Sequence, residues 1–68
     1  SHPRVTAIGI GEVLIENFNG IMDFKDGMIR ISTNKGVIKI TGTDLKIREI
    51  TSEEIIIGGK ISNIDYDA

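Results

Sequence analysis

His2 is the one imidazole in the chain, and it stands beside Ser1 at the terminus. A hydroxyl next to an imidazole is raw material for general-base catalysis, but a working base needs its nucleophile and an orienting carboxylate held at hydrogen-bond distance. No spacing fixes such partners here, so Ser1-His2 reads as a poorly ordered terminus or a remnant left by cloning. Gly9-Ile10-Gly11-Glu12 has the glycine spacing of a phosphate-cradling loop. Such loops work through the amides of a helix N-terminus, whereas β-branched Val13 and Ile15 follow here, so a bend between strands is expected. Asn63, Asp65 and Asp67 place oxygen ligands at alternate positions, as the start of a calcium loop does. The glycine and distal glutamate of that loop are missing, and Ile64 and Tyr66 alternate with the polar residues, which predicts one solvated strand face.

The aromatic side chains are Phe18, Phe24 and Tyr66. A stacking platform for single-stranded nucleic acid needs exposed aromatics interleaved with Lys or Arg, and Phe24 instead falls on the expected apolar face beside Ile29. Eight basic against ten acidic side chains leave a net charge of −2, which argues against a phosphate-tracking surface. With no cysteine there is no disulfide, thiolate nucleophile or cysteine zinc site. The ten carboxylates are scattered, and none is flanked by an apolar stretch that would tune it for acid–base work. No catalytic, cofactor-binding or metal-ligating residue is assigned, and the expectation is a protein that is not an enzyme.

The elements that would position any site are strands. Fifteen Ile, three Val and five Thr make 23 of 68 residues β-branched, against two Leu and two Ala. Such side chains lose rotamer freedom in a helix but fit a pleated surface. Glycines at 9, 11, 20, 27, 36, 42, 58 and 59 punctuate the chain at turn spacing, and Pro3 precedes the first apolar alternation. No apolar run approaches the roughly 20 residues of a membrane span. A chain this short hides only about 60% of its unfolded surface, so residues 3–67 form one thin-cored domain.

Residues 4–10 and 12–18 read as two strands around Gly11. Asp26-Gly27 signals a type I′ hairpin that sets Phe24 opposite Ile29, Met22 opposite Ile31, and Asp23 opposite Arg30 on the outer face. Thr33-Asn34-Lys35-Gly36 joins strands that pair Ile31 with Ile38 and Ile29 with Ile40; a loop one residue shorter would oppose Ile31 to Lys39. Gly42-Thr43 reads as a II′ turn pairing Ile40 with Leu45 and Ile38 with Ile47, and Gly58-Gly59 as a turn pairing Ile56 with Ile61. Apolar spacings of three place bulges near Arg48-Glu49 and Ser62-Asn63. Thr51-Ser52-Glu53-Glu54 matches a helix capping box, but three isoleucines and two glycines follow, so a turn is expected.

Asp23, Arg30, Lys39, Lys46 and Lys60 share the opposite, solvated face. The N-terminal hairpin, through Val5, Val13 and Ile15, must cover the apolar one. The expected fold is all-β: a meander of short hairpins, six to seven strands, rolled into an open barrel or sandwich. In residues 54–57 the three isoleucines cannot all face one way. Placing Ile55 and Ile57 opposite Ile56 makes them an outward apolar pair, which either the N-terminal hairpin wraps round to cover or, left uncovered, becomes the candidate for self-association as a two-fold dimer.

PRVTAIGIGEVLIENFNGIM (3–22), IRISTNKGVIKITG (29–42) and LKIREITSEEIIIGGKI (45–61) resemble the YabP/YqfC family of bacterial sporulation proteins. The distinctive pieces are IENFNGI (15–21), TNKGVIKITG (33–42) and the apolar cadence of 45–61, and the likeness runs from Pro3 to Tyr66. The resemblance implies a role in endospore formation, in the mother-cell cytoplasm near the forespore envelope where cortex and coat are built. It implies no catalytic residue and no cofactor. Partners would be other copies of the chain and other sporulation proteins, membrane-bound ones among them, with any attachment to the forespore membrane made through a partner. Family members look like short proteins with a further N-terminal segment, whose absence here fits an isolated domain. The expected function is therefore a structural or assembly component of sporulation; the alternative is a small β-barrel module binding a ligand, peptide or nucleic acid.

Overall fold

In the computed structural model, which describes residues 2–67, every regular element is a strand. They are β1 (Arg4–Ile8), β2 (Glu12–Glu16), β3 (Gly20–Lys25), β4 (Met28–Thr33), β5 (Gly36–Ile50) and β6 (Glu54–Asp67). All pairings are antiparallel, in one sheet of order β1-β2-β6-β5-β4-β3. Two strands, of 15 and 14 residues, are shared by both ends of that sheet. β2 pairs only with residues 54–58 of β6, and β4 only with residues 36–41 of β5. The sheet thus consists of two four-stranded halves joined by the bent β5–β6 hairpin, and it does not close into a barrel.

The bend takes the place of two expected turns. β5 runs straight through Gly42-Thr43, so Ile40 lies opposite Ile64 and Ile38 opposite Tyr66, instead of Leu45 and Ile47. β6 likewise runs through Gly58-Gly59, and Ile56 lies between Leu14 and Glu49 instead of opposite Ile61. The glycines serve close approach: a Cβ on Gly42 would collide with the Lys60 carbonyl oxygen, and one on Gly59 with that of Asp44. Asp44 takes φ +57 and Gly59 φ +130, so the two strands turn together where they cross. Register breaks at Thr41/Gly42, Thr43/Lys46 and Ile47/Glu49 complete the corner, and bulges are a usual means of bending paired strands. Two breaks leave Ser62 and Arg48 unpaired, where the spacing of apolar residues places them.

Bending brings the two inner faces onto one core. Val13, Ile15, Leu45, Ile55 and Ile57 come from one half and Ile29, Ile31, Ile38 and Ile40 from the other; Val5, Phe18, Ile21, Ile47, Ile61 and Ile64 pack around them. The N-terminal hairpin is the expected cover. Exposed surface totals 4310 Å², close to the roughly 4,200 Å² of a compact monomer of this mass.

Local chemistry sets the remaining connections. In the β3–β4 turn Gly27 alone takes positive φ (+76), so this is not the type I′ turn expected, which needs it at Asp26 too. The register beyond it still sets Phe24 against Ile29 and Asp23 against Arg30. A bulge between Ile21 and Asp23 then puts Ile21, and not Met22, opposite Ile31, and leaves Met22 exposed. Thr33 Oγ1 accepts from Lys35 N and donates to the Gly36 carbonyl, closing the next turn in the expected register. Thr51 Oγ1 accepts from the amides of Glu53 and Glu54 at 3.2 and 3.1 Å. Those are the bonds a capping hydroxyl makes, here closing a strand turn as expected.

Candidate interaction surfaces

The residues with chemical potential are held apart by this fold. His2 is exposed, and its carbonyl oxygen accepts from Asn17 Nδ2 at 2.9 Å. Gly9 (φ +62) bends the chain into β2, no helix follows, and the Glu12 carboxylate lies 3.4 Å from Arg48 Nε. Asn63, Asp65 and Asp67 occupy the exposed face of β6, with Asp65 opposite Lys39 and Asn63 opposite Thr41, while Ile64 packs on the core. Arg30 donates through Nε and Nη2 to Asp23 Oδ2 across the β3–β4 ladder, both side chains partly open to water.

Phe18 packs against the core. Phe24 shares a face with Ile29 as expected, but β3 is an edge strand, so the ring stays 51% exposed. It borders an open hollow of about 430 Å³ between the β3–β4 turn and the β5 corner, lined also by Lys25, Asp26, Asp44, Leu45 and Lys46. Tyr66 borders a second hollow of about 170 Å³ with Pro3, Val37 and Ile38. The two exposed aromatics therefore serve separate surfaces. The first hollow was not legible in the sequence, because the turn assigned at Gly42-Thr43 would have removed one of its walls.

Ile55 and Ile57 require a correction. Both are fully buried within the single chain, where the apolar alternation suggested an outward pair. The parity is reversed because Ile56, freed from its supposed partner Ile61, follows Leu14 onto the outer face. Val13-Leu14-Ile15 on β2 and Ile55-Ile56-Ile57 on β6 are both runs of three apolar residues, and their register aligns the two odd members. Leu14 and Ile56 thus lie side by side on the outside of the first half-sheet. Across the same face Arg48 lies over Gly58, whose missing side chain leaves it room, and reaches Glu12. Arg4 faces Glu16 at 3.9 Å on the other side of the pair.

Among the described residues, no helix is long and apolar enough to cross a membrane. The profile of the YabP family matches residues 1–68. The chain is 33% identical over 64 residues to the uncharacterized protein YqfC of Bacillus subtilis (strain 168), covering 94% of this chain and 69% of that one. No solved structure matches.

Proposed function

Because the chain belongs to the YabP family along its whole length, we propose that it serves endospore formation as a non-enzymatic structural or assembly component, acting in the mother cell beside the forespore envelope. The family match over residues 1–68 is the observation that carries this reading. The physical character of the chain agrees with it. Three ion pairs lie across the sheet platform, Arg30 with Asp23, Arg48 with Glu12 and Arg4 with Glu16, and none of their members lines the 430 Å³ hollow. Such a platform offers flat faces and strand edges, which are the surfaces on which assemblies are built. Attachment to the forespore membrane would be through a partner.

The test is genetic. A spore-forming host lacking the gene is assayed for heat-resistant spores, then complemented with the natural sequence and with Asp26→Asn/Asp44→Asn. Loss of resistant spores, restored by both, is the expected result. Normal spores without the gene would refute the sporulation role. Failure of the folded double variant alone would favour chemistry or ligand binding in the 430 Å³ hollow over assembly.

A further inference from the structure

The sheet ends at β1 and β3, and the two edges are built differently. An edge strand presents unpaired N–H and C=O groups, which proteins blunt with bulges and charged side chains. β3 has both, a bulge between Ile21 and Asp23 and the charges of Asp23 and Lys25. β1 runs Arg4-Val5-Thr6-Ala7-Ile8 against β2 with no break in register, and its one charge stands at the end. Two backbone bonds at the ends of β2 show which β1 groups are free. Asn17 N donates to the Glu53 carbonyl oxygen and Gly59 N to that of Gly11, so the odd-numbered residues of β2 bond to β6. Bonding alternates along an antiparallel ladder, so the even-numbered residues, Glu12, Leu14 and Glu16, bond to Ile8, Thr6 and Arg4. The N–H and C=O groups of Val5 and Ala7 therefore point away from the sheet. Thr6, Ala7 and Ile8 are exposed beside them, Ile8 at 42%.

We propose that β1 pairs antiparallel with β1 of a second copy, about a two-fold axis that stands normal to the sheet between the two Thr6 residues. Val5 of each copy then lies opposite Ala7 of the other, and these pairs exchange N–H···O=C bonds in both directions. Backbone bonds along an edge are indifferent to sequence, so the side chains select the occupant. Thr6 meets Thr6, a favourable cross-strand pair. Arg4 meets Ile8 and lays its apolar stem over the exposed isoleucine. Through the register of β1 with β2, the order across the seam becomes Glu16, Arg4, then Ile8 and Glu12 of the other copy. Each Arg4 thus lies between an acid of its own chain and one of the second copy, and no like charges oppose one another. A basic residue opposite Arg4, or an acidic one opposite Ile8 and near Glu12, would be repelled. β1 read backwards supplies isoleucine and arginine at those two places, the self-complementarity that an isologous contact requires. Strand rise and sheet thickness make the joined edge roughly 17 by 10 Å. This is well under the ~800 Å² per partner of a standard stable interface, so the dimer is a weak one that fills at high local concentration. The inference stands independently of the sporulation reading.

Sedimentation of the purified chain across a hundredfold concentration range tests it, with amide hydrogen exchange at both ends of the range. The weight-average mass should climb from 7.4 kDa toward twice that value. Exchange at Val5 and Ala7 should slow as it climbs, while Thr6, already bonded to β2, should not change. Thr6→Lys and Thr6→Glu each set like charges against themselves across the axis, so each alone should stay monomeric. Mixed in equal amounts, the two should associate with each other. Ala7→Pro removes an outward N–H that the β1–β2 ladder does not use, and it should also stay monomeric. Circular dichroism confirms that each variant is folded before it is scored, and the Thr6 variants carry the test if Ala7→Pro is not. A natural chain that stays monomeric overturns the proposal and leaves the edge to a strand from another protein. So does a dimer that survives Thr6→Lys, a mixture of the Thr6 variants that does not associate, or a dimer abolished by Phe24→Ser on the other edge.

Discussion

Ile56 and Ile57 are adjacent and chemically identical, yet they face opposite environments, so replacing each in turn by threonine measures the environment alone. Threonine keeps the β-branch and hence the strand preference, which removes backbone propensity from the comparison. At Ile57, fully buried in the shared core, the change removes apolar carbon worth about 1.6 kcal/mol at ~0.8 per methylene. It also leaves a hydroxyl among isoleucines, at a cost of about 1–3 kcal/mol. A total near 3–4 kcal/mol would be a large fraction of the roughly 3–10 kcal/mol expected for a 68-residue domain. At Ile56 the hydroxyl reaches water and no void forms, so the cost should stay near 1 kcal/mol or below. With a urea dependence of about 1 kcal/mol per molar, the midpoint should fall by about 3 M for Ile57→Thr and by about 1 M or less for Ile56→Thr. Equal shifts, or a larger one for Ile56→Thr, would refute the facing of β6 and with it the bent-sheet core.

The glycines at the corner should differ in kind: Gly42→Ala, which drives a Cβ into backbone, should cost about 2–3 kcal/mol by thermal or urea unfolding. In Gly58→Ala the atoms nearest the new Cβ belong to the Arg48 side chain, which can swing away, so about 1 kcal/mol is expected, with loss of the Glu12 contact visible by NMR. Gly27→Val places a branched residue at φ +76 and should cost about 1–2 kcal/mol, read as a lowered denaturation midpoint. A double-mutant cycle on Asp23→Ala and Arg30→Ala should give a coupling of about 0.2–1 kcal/mol that shrinks in high salt, since both side chains are partly exposed.

Local rules made the β3–β4–β5 meander and the 51–54 turn legible, because each register there is fixed by a tight connection between sequence neighbours. The same rules failed at Gly42 and at Gly58-Gly59. Glycine before or after an apolar alternation signals a turn and a close backbone approach equally well, and only the far strand decides between them. Assigning turns there cut two long strands into four short ones and reversed the parity of residues 55–57. The bulges at Arg48 and Ser62 were found because an apolar spacing of three is a local signal, whereas the breaks between Ile21 and Asp23 and between Thr43 and Lys46 were not. The Phe24 hollow and the Leu14–Ile56 pair were not, since both depend on which strands become neighbours across the bend.

The separation of paired residues along the chain orders the assembly of the sheet. From β3 to β6 every pairing joins consecutive strands, so each closes a short loop. β2 is the exception: its partners on β6 lie 38 to 46 residues further along the chain, from Glu16 opposite Glu54 to Glu12 opposite Gly58. Loop-closure entropy concentrates on that single pairing, and distant pairings are the slow ones. The β3–β6 meander should therefore zip first and wait, its Ile55 and Ile57 uncovered, until β1 and β2 dock. Pulse-labelling hydrogen exchange during refolding should find amides of residues 12–16 protected last; simultaneous protection throughout would show instead that docking and zipping are one event.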